Sequence, residues 1–416
     1  MGRIEKVTVA PRRTGLAWLR LLCVAGSSAW LMLTPLSAGA TGSNTFLQQK
    51  METIHGCLDA ACTQSLFPGA WVQDTLRGSG AAGTANLATG APTQADMKMR
   101  IGSITKSFVA AVALQLVAEH KLSLNDSLQK WVPGILPYAS QVTVKQLLGQ
   151  TSGVPDYLEA TGDSLVYQFV RGEVSRYQTW TPQQLIAMIA SQPRDVIPAG
   201  QAEYSDSNYI LAGLVVEAVT HDTIQHQVQS RIITPLHLTH TSFPTTQTNM
   251  TGLYANGYSY AVDADGNPIV GQPLSTYTTD FTNYNTSFVW ATGAMISNPA
   301  DMNTFMSALV GGHLLPPGLT AQMKQTVPIT LPEGLFPPGF GAGLGIWSWD
   351  LQNVDPPNGC TQRIYGHEGE VPGYDSWSFS NGSGTRAISM GVNLLFPDWD
   401  AYYSTELPVY ASLWCQ

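Results

Sequence analysis

Phe108 to Ala118 is an unbroken run of apolar residues interrupted only by Gln115 and free of charge. Such a run predicts a helix buried on most of its sides. It is flanked by different patterns. Residues 41–63 read as a short helical lead-in, and Pro68 to Ala91 is Gly/Ala-rich with brief alternating stretches that predict N-terminal strands joined by turns. From about 121 to 250 the pattern is helical and loop-rich. Helices are expected at Thr181 to Ser191 and at Asn208 to Thr220, the second capped by Ser207. Residues 250–290 are polar with weak strands, and Asn298 to Val310 returns to helix. Strands are then predicted at Gly343–Trp349, Arg363–His367, Asp375–Phe379 and Arg386–Asn393, the last two joined by the turn Asn381-Gly382-Ser383-Gly384. Residues 400–415 read as a closing helix.

With β elements at both ends and helices between them, the simplest architecture is an α/β fold of the α+β type. An antiparallel sheet from the N- and C-terminal segments is flanked by helices, and a mostly helical subdomain is inserted. The expected sheet lobe covers about 41–102 and 290–416, and the helical lobe about 103–289. The buried helix begins at the seam between them, where clefts form.

The first 40 residues change the picture of compartment. Arg3, Lys6, Arg12, Arg13 and Arg20 precede a mostly apolar stretch, Leu21 to Leu36, and Ala38-Gly39-Ala40 fits a small-residue cleavage site. This pattern predicts a signal peptide over 1–40 and a mature domain over 41–416, secreted to a periplasm or beyond the cell, with no stable membrane span after cleavage. The mature chain carries 15 basic and 28 acidic residues, a net charge of −13, which speaks against nucleic acid and anionic membrane surfaces as partners. Four cysteines remain. An even count in an exported chain suggests two disulfides; of three pairings the simplest is Cys57–Cys62 with Cys360–Cys415. No Cys/His spacing resembles a metal site and none calls for a cofactor; His221, His226, His237 and His240 lack companions at ligand spacing.

Candidate chemistry starts at the head of the buried helix, in Ser103-Ile104-Thr105-Lys106. Lysine is scarce, eight in 416 residues, and one in the first turn of a buried helix needs partners or a task. The i,i+3 spacing puts Ser103 and Lys106 on one face, where the amine can assist the hydroxyl as a nucleophile. A second copy, Ser127-Leu128-Gln129-Lys130, is an internal control: it ends a segment before Trp131-Val132-Pro133-Gly134 and reads as a solvated turn. Two further segments carry suitable groups. Tyr204 and Asp206 lie in a loop ahead of a helix, and Tyr204 can pass a proton to or from Ser103 if Lys106 lowers its pKa. Tyr365-Gly366-His367-Glu368-Gly369-Glu370 is a strand whose glycines admit a close backbone, so the N–H of Glu370 can pair with that of Ser103 as an oxyanion hole.

Ser-x-x-Lys, Tyr-x-Asn and His/Lys-x-Gly in this order mark the penicillin-recognising serine enzymes, which include class C β-lactamases, D-alanyl-D-alanine carboxypeptidases, D-aminopeptidases and esterases. The chain resembles that superfamily over roughly residues 65–415, through Ser103/Lys106, Tyr204/Asp206 and His367/Gly369. Met99-Arg100-Ile101-Gly102, Gln146–Gly153 and Trp290–Ser297 resemble its flanking segments. The likeness is strongest to secreted serine-type D-alanyl-D-alanine carboxypeptidases, in which a disulfide runs from just before the third motif to the C-terminal helix, where Cys360 and Cys415 stand here. The resemblance implies a β-lactamase/DD-peptidase-like fold and a Ser103 acyl-enzyme. Lys106 and Tyr204 handle the proton, Asp206 and His367 complete the catalytic set, and Glu368, Gly369, Glu370 and Trp290 bind substrate. Expected substrates are small peptides, amides or esters, including cell-wall peptide, with β-lactams as acylating ligands.

Three positions depart from the pattern. Asp206 replaces the usual Asn, and Gln150 replaces a His and is expected to be structural. Glu368 and Glu370 occupy positions where the carboxypeptidases use threonines to hold a substrate carboxylate, and no arginine stands on Gly343–Trp347. Two carboxylates repel a third by about 1 kcal/mol per close pair in water. They favour an ammonium, as in a D-aminopeptidase or amino-acid amidase, or a neutral ester. A non-catalytic binding or scaffold protein with the same fold is the alternative of another class.

Overall fold

The computed structural model describes residues 42–56, 65–162, 164–260, 278–330, 339–353, 360–395 and 405–415. The predicted signal peptide and the Cys57–Cys62 pairing lie outside these residues. Among the described residues, no helix is long and apolar enough to cross a membrane.

The sheet is the frame. Its strands in chain order are β1 (Gly69–Asp74), β2 (Gly78–Asn86), β3 (Ala91–Pro92), β4 (Ala202–Glu203), β5 (Val327–Thr330), β6 (Phe340–Ala342), β7 (Trp347–Asp350), β8 (Arg363–Val371), β9 (Tyr374–Asn381) and β10 (Ala387–Val392). Their spatial order is β3-β2-β1-β10-β9-β8-β7-β6-β5-β4. The two ends of the chain meet where β1 runs antiparallel to β10, with Ala70 opposite Val392 and Asp74 opposite Ile388. All the neighbours are antiparallel except β4 and β5, which pair in parallel. The sheet therefore takes one short strand from the middle of the chain as well as from its ends.

Helices cover both faces. On one side lie α1 (Thr45–His55) and α5 (Leu407–Trp414), over an aromatic layer that includes Trp349, Trp377, Phe379 and Tyr410. Cys360 and Cys415 are joined in a disulfide that fastens the end of α5 to the body, as the residues and the resemblance led us to expect. On the other side lie α2 (Thr105–Ala118), α3 (Ser207–Thr220) and α4 (Pro299–Val310). Most of α2 is buried, including Lys106 and Ser107, which explains its nearly uninterrupted apolar sequence.

Four sequence expectations need correction. The helix expected at Thr181 to Ser191 spans only Pro182–Ala187, started by a capping box between Thr181 and Gln184. Ser207 does not cap α3; it lies within the helix, and its hydroxyl accepts from the Tyr157 N–H at 2.9 Å. Asp206 holds the cap position, and its side chain makes no cap bond. The strand expected over Gly343–Trp349 is broken. Gly343–Ile346 forms a tight turn that accepts Ser107 Oγ on the Gly345 carbonyl at 2.7 Å, and only Trp347 onward joins the sheet. The control copy Ser127–Lys130 runs into a four-residue helix, Leu128–Trp131, at the surface, with Lys130 paired to Asp126 at 2.8 Å.

Candidate active site

Ser103 lies in a single 3₁₀ turn, Gly102–Ile104, that leads straight into α2. Gly102 has φ +47°, and a Cβ there would fall 2.7 Å from Glu370 O and 2.8 Å from Glu370 N. A Cβ on Gly369 would in turn lie 2.8 Å from Ser103 N. The two glycines let β8 run against the nucleophile turn, backbone to backbone, beyond Gly366, where β8 no longer pairs with β7. Gly102→Ala combines left-handed strain with that clash. It is expected to slow acylation of Ser103 by at least about tenfold while circular dichroism remains native. An unchanged acylation rate would show that the close approach does not matter.

The side chains of the first two motifs converge. Lys106 Nζ donates to Ser103 Oγ at 2.7 Å, to Asp206 Oδ1 at 2.7 Å and to the Thr292 carbonyl at 3.0 Å. These three acceptors are the full complement of an ammonium group, which is how a fully buried lysine is accommodated. Ser103 Oγ is also 2.7 Å from Tyr204 OH. Asp206 points inward to Lys106 and also accepts from the Thr292 hydroxyl, which is why it does not cap α3. Its backbone N–H donates to Asp156 Oδ2 at 3.0 Å.

The electrostatics bear on one condition. Tyr204 was read as a proton carrier if Lys106 lowers its pKa. Instead burial, reinforced by the charges of Asp206 and Glu368, holds its phenol well above the usual tyrosine range. Tyr204 is therefore a neutral phenol that can accept one proton while giving up another. Burial pushes Asp156 up to about 8, with the neighbouring Asp206 charge acting in the same direction.

The third motif is less uniform. His367 is buried against Trp347, with ring centroids 4.6 Å apart, and its Nδ1 lies 2.5 Å from the Glu368 carbonyl. A carbonyl only accepts, so Nδ1 carries the hydrogen. Burial, with Lys106 nearby, pushes this imidazole down to about 3. His367 is neutral, its Nδ1–H is held by its own strand, and among the described residues it makes no hydrogen bond to Ser103. Glu368 and Glu370 are half-buried on one face of β8. Burial pushes Glu368 up to about 7, opposed by Lys106, and pushes Glu370 up to about 8, reinforced by Glu368. Arg363 does not compensate them, because its guanidinium pairs with Asp350.

Trp290 is a correction. Expected to bind substrate, it is 5% exposed, and its ring packs where a Cβ on Gly213 of α3 would lie. It is a core side chain, and its positive φ of +22° turns the chain so that Thr292 reaches Lys106. Gln150 is buried among α3 contacts, its side-chain oxygen accepting from Asn208 at 2.5 Å and from Ser205 N at 3.2 Å. Thr292 and Asp156 were not singled out from sequence. Thr292 lay inside a recognised Gly-rich turn, whereas nothing local marks Asp156. Among the described residues, no group of three His, Cys, Asp or Glu side chains is placed to hold a metal ion.

Comparison with known proteins finds the fold and the family. A D-stereospecific amidohydrolase from Streptomyces sp. superposes with a TM-score of 0.71 at 32% identity, covering 86% of this chain and 97% of that one. The D-amino acid amidase of Ochrobactrum anthropi SV3, in complex with L-phenylalanine, gives 0.70 at 26% identity over 86% and 97%. The protein flp of Staphylococcus aureus strain COL is 34% identical over 182 residues, which are 42% of this chain and 33% of that protein. The putative penicillin-binding protein PbpX of Bacillus subtilis strain 168 is 24% identical over 295 residues, 71% and 61% of the two chains. The chain spans about a third of the length of the first of these curated relatives. The family model described as Beta-lactamase matches residues 46–405, and the chain belongs to that family of serine hydrolases.

Proposed function

We propose that the protein is an exported serine amidohydrolase that cleaves amides or short peptides carrying a free α-ammonium group, of the D-amino-acid amidase or D-aminopeptidase type. One observation carries the reading. Asp206 faces Lys106 at 2.7 Å, Asp156 and Glu368 lie within electrostatic reach of the same cation at the nucleophile, and the third-motif histidine is neutral. Such a site attracts an ammonium and repels a terminal carboxylate. The carboxypeptidase reading is disfavoured for the same reason, since Arg363 is engaged by Asp350. The likeness to a D-stereospecific amidohydrolase and a D-amino acid amidase supports the amidase side. β-Lactams remain candidate acylating ligands of the same serine, and cell-wall peptide a candidate substrate.

The mechanism follows from the contacts. Ser103 Oγ attacks the carbonyl carbon while its proton passes to Tyr204 OH, and the Tyr204 proton passes to the leaving nitrogen. Because the phenol accepts and donates together, no phenolate is needed. Lys106 donates to Oγ as negative charge develops, anchored by Asp206 and the Thr292 carbonyl. The N–H groups of Ser103 and Glu370 hold the oxyanion, and water entering by the same route releases the acyl group. Glu368, the carboxylate within electrostatic reach of both Lys106 and Tyr204, takes the α-ammonium.

The test is a pair of substrates, a D-amino-acid amide and its N-acetyl derivative, followed across pH. Glu368 is neutral below about 7 and ionised above it, while an α-ammonium is lost above about 8. The kcat/KM of the free amine is expected to rise through pH 7 and fall beyond pH 8, and the acetylated compound to be turned over poorly and without that bell. Equal rates on both compounds would reject amine recognition. Amino-terminal sequencing of exported protein is expected to begin near residue 41.

A further inference from the structure

A buried hydroxyl joins β8 to the nucleophile turn. Ser376 of β9 stands opposite Gly369 in the β8–β9 register and is fully buried. Its Oγ lies 3.0 Å from the Gly369 carbonyl oxygen and 3.2 Å from the Ile101 carbonyl oxygen. A hydroxyl has one proton to give, and here it lies between two acceptors from distant parts of the chain. Ile101 is the residue from which the Gly102–Ile104 turn starts. Its carbonyl is pressed against Gly369, where a Cβ would fall 2.1 Å from the oxygen. Ser376 therefore pins the strand to the turn where the two backbones are in contact.

Both carbonyls matter to the chemistry. The Gly369 carbonyl and the Glu370 N–H are the two ends of one peptide unit. A donor on that carbonyl polarises the unit and makes its N–H a stronger donor in turn. The Glu370 N–H is one of the two that hold the oxyanion; the other, Ser103 N–H, lies in the turn that Ile101 starts. Neither carbonyl depends on the hydroxyl to be satisfied. The Ile101 carbonyl also accepts from the Ile104 N–H at 3.2 Å, and Gly369 is paired with Ser376 along the ladder. Ser378, two residues on and on the same face of β9, provides a contrast. It is equally buried, but its Oγ accepts from Ser389 Oγ at 2.8 Å and faces the Met302 carbonyl of α4 at 3.5 Å.

We infer that Ser376 is a positioning residue of the oxyanion hole, whose hydroxyl fixes the Ser103 and Glu370 N–H groups relative to each other and polarises the second. It acts through those two groups and does not touch substrate. Its effect belongs to the transition state, because both donors must point at the oxygen on which charge develops. A misplacement of about 1 Å can cost about 10²-fold. Both N–H groups stay in the chain without Ser376, so the loss expected is smaller, about tenfold. The inference rests on the serine acyl-transfer mechanism above and is independent of amine recognition at Glu368.

The experiment compares the wild-type protein with Ser376→Ala, Ser376→Thr and Ser378→Ala. The substrate is p-nitrophenyl acetate, which carries no ammonium, so a failure of amine recognition leaves the test intact. Phenylboronic acid, whose tetrahedral serine adduct places an oxygen in the hole, is the transition-state probe. Acylation and deacylation both pass through an oxyanion. Ser376→Ala is therefore expected to lower kcat about tenfold with little change in KM, and to raise the boronate Kd in parallel. Ser376→Thr keeps the hydroxyl and is expected to recover most of the loss, and Ser378→Ala to stay within about twofold of wild type. If the added methyl of threonine lowers the melting temperature, the contrast between the two alanine variants decides. A wild-type kcat in Ser376→Ala, a lowered kcat beside an unchanged boronate Kd, or the same loss in Ser378→Ala overturns the assignment. If ester hydrolysis is too slow to measure, the boronate Kd is the deciding readout. A wild-type protein that neither hydrolyses the ester nor binds the boronate would reject the serine mechanism itself, a result distinct from all of these.

Discussion

Replacing Lys106 with methionine is expected to lower kcat/KM by about three orders of magnitude or more and to destabilise the protein by about 3–5 kcal/mol. The two effects have separate causes. Activity falls because Ser103 Oγ loses the donor that stabilises its developing charge. Stability falls because Asp206, 8% exposed, is left without the cation that faces it at 2.7 Å. Adding Asp206→Asn to the Lys106→Met variant should therefore restore most of the melting temperature and none of the activity. Urea denaturation and ester hydrolysis measured on the same three proteins check this. Parallel recovery of both properties would mean that Lys106 serves only to neutralise Asp206.

Tyr204→Phe is expected to cost about 10²–10⁴ in kcat/KM on amides, the range for one positioned proton donor. Its phenol is neutral and 2.7 Å from Ser103 Oγ, and the shuttle routes the serine proton through it to the leaving nitrogen. An activated ester, whose leaving group departs without protonation, should suffer far less. The ratio of amide to ester rates in Tyr204→Phe is the readout, since a purely structural defect would depress both alike. Because the ring packs with Trp347 and beneath Lys106, the phenylalanine variant keeps those contacts.

These roles were unevenly legible in the sequence. Ser103 and Lys106 could be read because a lysine at the head of an apolar run is chemically conspicuous, and the solvated copy at Ser127 and Lys130 shows what the same spacing looks like at the surface. The sheet of both chain ends was legible from alternating patterns whose turns are local. The break at Gly343–Ile346 was not, because it is set by hydrogen bonds from Ser107 and to Leu148, far away in sequence. The direction of the Tyr204 shift was left conditional for a related reason. Lys106 was visible as its neighbour, but the burial and the carboxylates that outweigh that cation come from other elements. Trp290 lay in a recognised motif and proved to be core, since a motif fixes the path of the backbone more firmly than the direction of each side chain.

The account stands on Ser103 as the nucleophile. Intact-protein mass spectrometry and peptide mapping after incubation with a fluorophosphonate test it most directly. The predicted result is one adduct per chain, on the peptide containing Ser103, absent from Ser103→Ala, and never on Ser127 of the second Ser-x-x-Lys copy. An adduct on another residue, or ester hydrolysis that persists in Ser103→Ala, would contradict it.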